Sequence, residues 1–212
     1  MAKTVKDILE IAAAEWEHWG KSTWNLKSDA TNIGHTDDEL KFAQYVIDNY
    51  NKAGGGSPSL TDIQNDHYYW SAVGMSFVFK KAGFLKTEFP FAEAHSVWIR
   101  RFIKARRDKD SSALYWGFRL SEAAAAPDVG DIIGYTYAKN TSFEDAQTYF
   151  DKTGSYASHT DVVVAKRGAE IDVIGFNVLD SVTKKTVPLT SAGLIADRKH
   201  KWFVVLKRKA LL

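Results

Sequence analysis

Residues 69–83 read YWSAVGMSFVFKKAG, and Ser71 stands just before the long apolar run of this segment. Apolar side chains recur in this run at helical spacing, and they are Ala72, Met75, Phe79 and Ala82. This spacing places them on one helix face, so we predict a helix that begins near Tyr69 and stops at Gly83.

Three further helices are predicted around this one. Apolar residues recur at helical spacing over residues 5–19 and 92–107. A helix is also expected over residues 37–51, because the segment Thr36–Glu39 has the composition of a capped, acidic first turn. The glycines and proline within residues 54–58 then predict a flexible loop.

The sequence changes character after Asp110, where short runs rich in β-branched and aromatic residues begin. The predicted strands are Ile132–Tyr137, Asp161–Ala165, Ile171–Phe176, Ser181–Leu189 and Trp202–Lys207. The polar segment 139–158 is interpreted as an excursion over one rim of the sheet, with a helical turn at 143–150. Helices followed by antiparallel strands predict an α+β fold rather than alternating βαβ units.

Length and composition favour one globular domain. The 212 residues are enough to bury a core without covalent support, so we expect a single domain over 1–212, helical to about residue 110 and sheet from about 111. Hydrophobic residues make up 45% of the chain and charged residues 25%, which is typical of a globular protein. The net charge of +2 gives no strong overall field, so we do not predict nucleic-acid binding.

The chain has no cysteine, which excludes disulfides, thiolate zinc sites and a thiol nucleophile. Residues 1–20 carry charges every few positions, and no apolar run of about 18 residues occurs anywhere. We therefore expect synthesis in the cytoplasm without a standard signal peptide and without a membrane span.

Ser71 is the sharpest candidate for chemistry. A side chain at a helix start faces the positive end of the helix dipole and nearby unpaired N–H groups, which favours an anionic nucleophile or intermediate. The alternative is that Ser71 only caps the helix, because serine is common at that position.

A second candidate lies at the start of a strand, in Ser158–Val164. His159 and Asp161 are two residues apart and therefore point to the same face, where a histidine acts as a general base and a carboxylate orients it. Asn177 follows the next strand and is an alternative orienting group, as in Cys-His-Asn arrangements. The alternatives are a histidine hydrogen-bonded at a sheet edge and an asparagine in a turn.

Other polar and aromatic residues are assigned to substrate binding, and they are Trp70, His95, His67, Tyr135 and Ser181. The remaining histidines, His18, His35 and His200, have surface-like surroundings and receive no assignment.

The motifs together resemble two known groups of proteins. Trp70–Ala72 with Phe77–Gly83 is similar to the W-C-A-x-F-V helix start of CHAP and NlpC-type amidohydrolases, and Asp128–Ile133 resembles their P-G-D strand start. A closer resemblance is to the bacterial and phage domain family of unknown function 2272, over roughly residues 16–206. The segments that match its pattern are Trp70–Ala72, Ala94–Ser96, Gly130–Ile133, His159–Val164 and Gly175–Thr183.

The resemblance implies a papain-like fold, with a nucleophile at a helix start and a sheet that supplies His and Asn. Carried over by position, Ser71 is the nucleophile, His159 the base, and Asn177 or Asp161 the orienting group, with Ser71 and His159 expected within about 4 Å of each other. The departure is serine in place of cysteine, because serine must be deprotonated during attack whereas a thiol ionises readily.

The function implied is hydrolysis of amide bonds in bacterial peptidoglycan, as an amidase or endopeptidase, without a cofactor. Such an enzyme is expected to be a monomer that acts at the cell wall after release or export, as a phage lysis or virion enzyme or as a secreted effector with a delivery or immunity partner. Two alternatives stay open. One is a hydrolase in which His95, His159 and Asp161 bind a divalent metal such as zinc. The other is a non-catalytic module that binds the cell wall or a partner protein.

Overall fold

Residues 3–209 are described by the computed structural model, and they form a mixed α and β protein with several helices and a large sheet. The α-helices are α1 Val5–His18, α2 Leu40–Tyr45, α3 Lys52–Gly54, α4 Leu60–Gln64, α5 Ser71–Lys81, α6 Ser96–Arg107 and α7 Phe143–Ala146. A π-helical segment, Val46–Asn51, joins α2 to α3, and a 3-10 turn, Gln147–Asp151, follows α7. No helix within residues 3–209 has the length and apolar character needed to cross a membrane.

Within residues 3–209, eight strands make up the sheet. They are β1 Ser22–Asn25, β2 Thr31–Asn32, β3 Tyr115–Phe118, β4 Ile132–Thr136, β5 His159–Arg167, β6 Glu170–Val178, β7 Ser181–Pro188 and β8 Lys201–Arg208. The chain divides into two compact units. The first runs to Glu93 and includes Ile174–Lys185, and the second contains Ala94–Val173 and the residues from Thr186 onward. The expectation of a single domain stays a prediction.

The first unit is organised around the buried helix α5. Trp70, just before α5, stacks on Trp19 and Tyr50 at ring-centroid distances of 4.8 and 5.6 Å. Gly74 faces the ring of Phe176 so closely that an added Cβ would lie 2.4 Å from its Cδ1 atom. Because no larger residue fits there, Gly74 sets how closely α5 approaches β6 within this unit.

The second unit contains the antiparallel strand order β5-β4-β8-β3. The Gly-Asp motif before β4 has a structural role, because the buried carboxylate of Asp131 accepts hydrogen bonds from Lys207 Nζ at 2.5 Å and from the Arg208 backbone N–H at 2.8 Å. Burial raises the pKa of Asp131, and the Lys207 ammonium opposes that rise. These contacts hold the start of β4 against the end of β8.

The helical turn expected at 143–150 is present as α7 and the following 3-10 turn. The second predicted helix is present through Asn51, but its predicted start at Asp37 was wrong, because the helix begins at Leu40 and Asp37 is a buried residue before it. The strands β1, β2 and β3 and the short helix α4 were not predicted.

Candidate functional site

Ser71 is the first residue of α5 and is only 8% exposed. The capping position of this helix is Trp70, and no side chain makes a capping hydrogen bond there. Ser71 therefore does not occupy the position in which serine usually caps a helix. Its side chain instead lies in the first turn, where backbone N–H groups have no intrahelical acceptor and the helix dipole is positive.

Trp70, which precedes Ser71, is held on several sides within the first unit. Its indole Nε1–H donates to Asp37 Oδ2 at 2.5 Å. With its amide oxygen turned towards Trp70, Asn177 accepts from the Trp70 backbone N–H at 3.2 Å and from the indole at 2.9 Å. These contacts fix the backbone that carries Ser71. The described partner of Asn177 is therefore Trp70, and its role in orienting His159 stays a prediction.

The hairpin turn between β6 and β7 lies in the same unit and has an unusual backbone. Asn177, Leu179 and Asp180 have φ values of 51°, 55° and 57°, a region that residues with side chains rarely adopt. A two-residue loop with positive φ at both positions matches the twist of the strands that it joins. The Asp37 backbone N–H donates to the Asp180 carbonyl at 2.9 Å, which ties this turn to the segment before α2.

Ser181 and His67, which were predicted to bind substrate, also belong to the first unit. Ser181 is fully buried; its hydroxyl donates to the His35 carbonyl at 2.7 Å and lies 2.8 Å from Ser22 Oγ. These contacts hold the turn, and the assignment of Ser181 to substrate binding stays a prediction. His67 lies exposed in the turn after α4, where its backbone N–H donates to the Asp62 carbonyl.

In the second unit, the first residues of β5 form the expected pair. His159 is 4% exposed and Asp161 is fully buried, and His159 Nε2 lies 3.1 Å from Asp161 Oδ1. If Nε2 carries the proton, it donates to the carboxylate and Nδ1 becomes the accepting nitrogen of the ring. This is the arrangement that a general base requires, with its tautomer fixed by a buried carboxylate.

His95, predicted to line the site, lies beside His159. It is 2% exposed at the start of α6, its Nδ1 is 2.8 Å from Thr160 Oγ1, and its ring centroid is 4.9 Å from that of His159. Its ring also meets Trp98 edge to face at 4.9 Å. His95 therefore supports one side of the His159 ring.

Tyr135 supports His159 from the neighbouring strand. The two residues are direct partners in the β4–β5 pairing, with ring centroids 5.0 Å apart. Burial, and then the nearby Asp161 carboxylate, raise the pKa of Tyr135 well above its ordinary value, so its phenol stays protonated. The predicted site residues of this unit, His95, Tyr135, His159 and Asp161, are thus in one place.

His200 and Asp197 also lie at this place, although neither was predicted from the sequence. The side chain of His200 is 15% exposed rather than on the open surface, its Nδ1 lies 3.0 Å from Asp197 Oδ2, and its ring meets Tyr135 edge to face at 5.7 Å. The available sequence signal was an aspartate followed three positions later by a histidine, directly before a strand. This order places a second carboxylate and imidazole at the start of β8. Both β5 and β8 pair with β4, so the two histidines reach the same end of that strand.

The metal-binding alternative is not supported by the geometry. Within residues 3–209, no three His, Cys, Asp or Glu side chains are placed so that they could hold a metal ion. His95 Nδ1 is engaged with Thr160, and His159 Nε2 is engaged with Asp161. The alternative in which His95, His159 and Asp161 bind a metal therefore stays a prediction that this geometry does not favour.

The fold and these residues define a mixed α and β protein with a buried Asp–His pair on its sheet. The chain belongs to the family described as "Uncharacterized protein conserved in bacteria (DUF2272)", whose model matches residues 14–208. No curated protein and no solved structure gives a significant match.

Proposed function

We propose that this protein hydrolyses amide bonds in bacterial peptidoglycan, on a papain-like fold of the CHAP or NlpC type, with Ser71 as nucleophile and His159 as base. The observation that carries the proposal is the buried His159–Asp161 pair, with its 3.1 Å contact between Nε2 and Oδ1. Burying a carboxylate and an imidazole together is costly unless they are paired, and a pair of this kind fits proton transfer better than it fits simple packing.

The proposed reaction has two stages. In the first, Nδ1 of His159 takes the proton of the Ser71 hydroxyl as the oxygen attacks the amide carbonyl, and the proton then passes to the leaving amine. In the second, water attacks the acyl-serine, His159 takes a proton from the water, and that proton returns to Ser71 as the acid is released. Asp161 stabilises the imidazolium that forms in each stage.

The negative charge that develops on the carbonyl oxygen needs donors already in place. The first turn of α5 supplies backbone N–H groups without intrahelical partners at the positive end of the helix dipole. Trp70, held by Asp37 and Asn177, fixes the backbone at which these groups begin. The peptidoglycan substrate rests on the sequence resemblance to CHAP and NlpC enzymes.

The test is release of dye from labelled, purified peptidoglycan by the wild-type protein and two variants. Ser71→Ala and His159→Ala are each expected to lower the rate at least a thousandfold while the protein stays folded. Ser76→Ala is the matched control, because Ser76 lies on the same helix and is buried, and its hydroxyl donates to the Ala92 carbonyl and accepts from the Ala92 backbone N–H. It is expected to cost about 1 kcal/mol of stability and to keep full activity.

The same assay separates the alternatives. Full activity in both Ser71→Ala and His159→Ala would overturn the proposal. Loss of activity on adding a chelator would point to metal chemistry instead. Binding of peptidoglycan without any release of dye by the wild-type protein would favour the non-catalytic module.

A further inference from the structure

A second Asp–His pair stands next to the His159 site in the second unit. Asp197 Oδ2 accepts from the Trp202 indole at 2.8 Å and from the His200 backbone N–H at 3.1 Å, in addition to its contact with His200 Nδ1. Its Oδ1 accepts from the Lys199 backbone N–H at 3.2 Å. Burial works against the charge of Asp197, but the donors from His200 and Trp202 outweigh it and leave its pKa below the ordinary value.

Tyr135 joins the two pairs. Its ring lies 5.0 Å from His159 and 5.7 Å from His200, measured between centroids, and it also meets Trp202 at 4.9 Å. Whereas His159 is almost completely buried, His200 is partly exposed, and Tyr137, two residues beyond Tyr135, is 51% exposed. The part of this cluster that meets solvent is therefore the side of His200 and Tyr137.

The segment that carries His200 is also strongly basic. Arg198, Lys199 and Lys201 flank the histidine, and Asp197 is the one acid among residues 197–201. Clustered positive charge raises the local concentration of anionic ligand groups. When His200 carries a proton on both ring nitrogens, its Nδ1–H donates to Asp197 and its Nε2–H can donate to a carboxylate of the substrate. Charge-assisted hydrogen bonds of this kind are short and strong.

We propose that His200, held by Asp197, contacts the substrate and binds a free carboxylate of the peptide whose amide bond is cut, beside the wall formed by Tyr135 and Tyr137. This inference rests on the proposed function, and it narrows the substrate to a peptide that carries a carboxylate near the cleaved amide. The carboxylate lies against His200, and the basic segment draws it there.

The experiment uses two synthetic stem peptides that differ only in one group, a free carboxylate or its carboxamide. For the wild-type protein, KM for the acid is expected to be about tenfold to a hundredfold lower than KM for the carboxamide. This ratio corresponds to the free energy of one charge-assisted hydrogen bond. His200→Ala should remove this preference by raising KM for the acid, with little change in kcat. Binding of both peptides to the Ser71→Ala protein, measured by calorimetry, gives the same comparison without any hydrolysis.

Two further variants separate contact from packing. His200→Phe keeps a ring against Tyr135 but has no nitrogen, so the preference for the acid should stay lost. His200→Gln keeps a hydrogen-bond donor and should restore part of the preference for the acid. Arg198→Ala is the control for general charge, because Arg198 is 74% exposed, and it is expected to give only a small, salt-sensitive change.

Recovery of the wild-type preference by His200→Phe would overturn the inference in favour of a packing role. An unchanged preference in His200→Ala would also overturn it, while hydrolysis that still depends on Ser71 would leave the proposed function standing. If the wild-type protein binds the acid more tightly but cleaves neither peptide, the proposed hydrolysis fails and the carboxylate site survives.

Discussion

Replacing Asp37 with asparagine is expected to change how the stability of the protein depends on pH. Asp37 is 2% exposed and accepts the indole hydrogen bond of Trp70 at 2.5 Å. Burial raises its pKa from 3.8 to about 7; the Trp70 hydrogen bond opposes that rise, and the carboxylates of Asp180, Asp38 and Asp66 add to it. Asp37 therefore keeps its proton in the folded protein at pH values where the unfolded chain has lost it.

The direction in which stability changes with pH follows from proton binding. Because the folded pKa lies above the unfolded value of 3.8, the folded state binds more protons between these two values. The stability that Asp37 contributes is fully present below about pH 4 and is lost as the pH rises through about 7. The difference between the two pKa values corresponds to at most about 4 kcal/mol.

The measurement is urea unfolding of the wild-type protein and of Asp37→Asn between about pH 4.5 and about pH 7.5. The asparagine oxygen still accepts the Trp70 indole but does not ionise, so the two proteins should be similar at the acid end. At the upper end the variant should be more stable, by about 2–4 kcal/mol. Asp48→Asn is the control, because Asp48 is half exposed and its replacement should change stability by less than about 0.5 kcal/mol. A difference between wild type and Asp37→Asn that stays constant with pH would refute the reasoning.

Three other perturbations have defined outcomes. Gly74→Ala places a Cβ 2.4 Å from the Phe176 ring and should destabilise the protein by about 3 kcal/mol or more, as measured by thermal unfolding. Asp131→Ala leaves the Lys207 ammonium without its buried partner and should cost about 3–5 kcal/mol in the same measurement. Ser71→Cys should keep or raise peptidoglycan hydrolysis, because a thiol ionises more easily than a hydroxyl; complete loss in a folded variant would contradict the nucleophile assignment.

Much of the fold was predicted from the helical spacing of apolar residues. The first helix was placed correctly because its apolar spacing agrees with a local signal, the Thr4–Asp7 capping box. The start of the second helix was wrong because Asp37 serves a distant partner, Trp70, which no local pattern reveals. The strands β1 and β2 were not predicted because they are short and mostly polar, and Thr31 and Asn32 are exposed. Such strands form through pairing rather than through their own preferences.

The candidate site was predictable where its geometry is local. His159 and Asp161 are two residues apart in one strand, so period-two alternation alone brings them together. The contact between His200 and Tyr135 depends on the antiparallel pairing of β4 with β8, a long-range feature that a charged segment near the end of a sequence does not reveal. The hydrogen bonds from Trp70 to Asn177 likewise depend on the close approach of α5 and β6 at Gly74.

If Ser71 is the nucleophile, as proposed, the carboxylate beside His159 offers a reason for serine at this position. A thiolate already exists near neutral pH beside an imidazolium, so a neutral amide is sufficient to orient the histidine in Cys-His-Asn sites. A serine must lose its proton during attack, and the imidazolium that forms then needs a negative charge beside it. In the proposed mechanism, Asp161, which is buried against Nε2, would supply that charge.

We therefore predict that the effect of replacing Asp161 depends on which nucleophile stands at position 71. Asp161→Asn should lower hydrolysis by a factor on the order of 10³–10⁴ when Ser71 is present. In a protein that also carries Ser71→Cys, the same change should cost only about tenfold, because an orienting amide then suffices. Circular dichroism and urea unfolding show whether each variant is folded. Equal losses with serine and with cysteine would mean that Asp161 only positions the ring of His159, and the link between its charge and the serine nucleophile would be wrong.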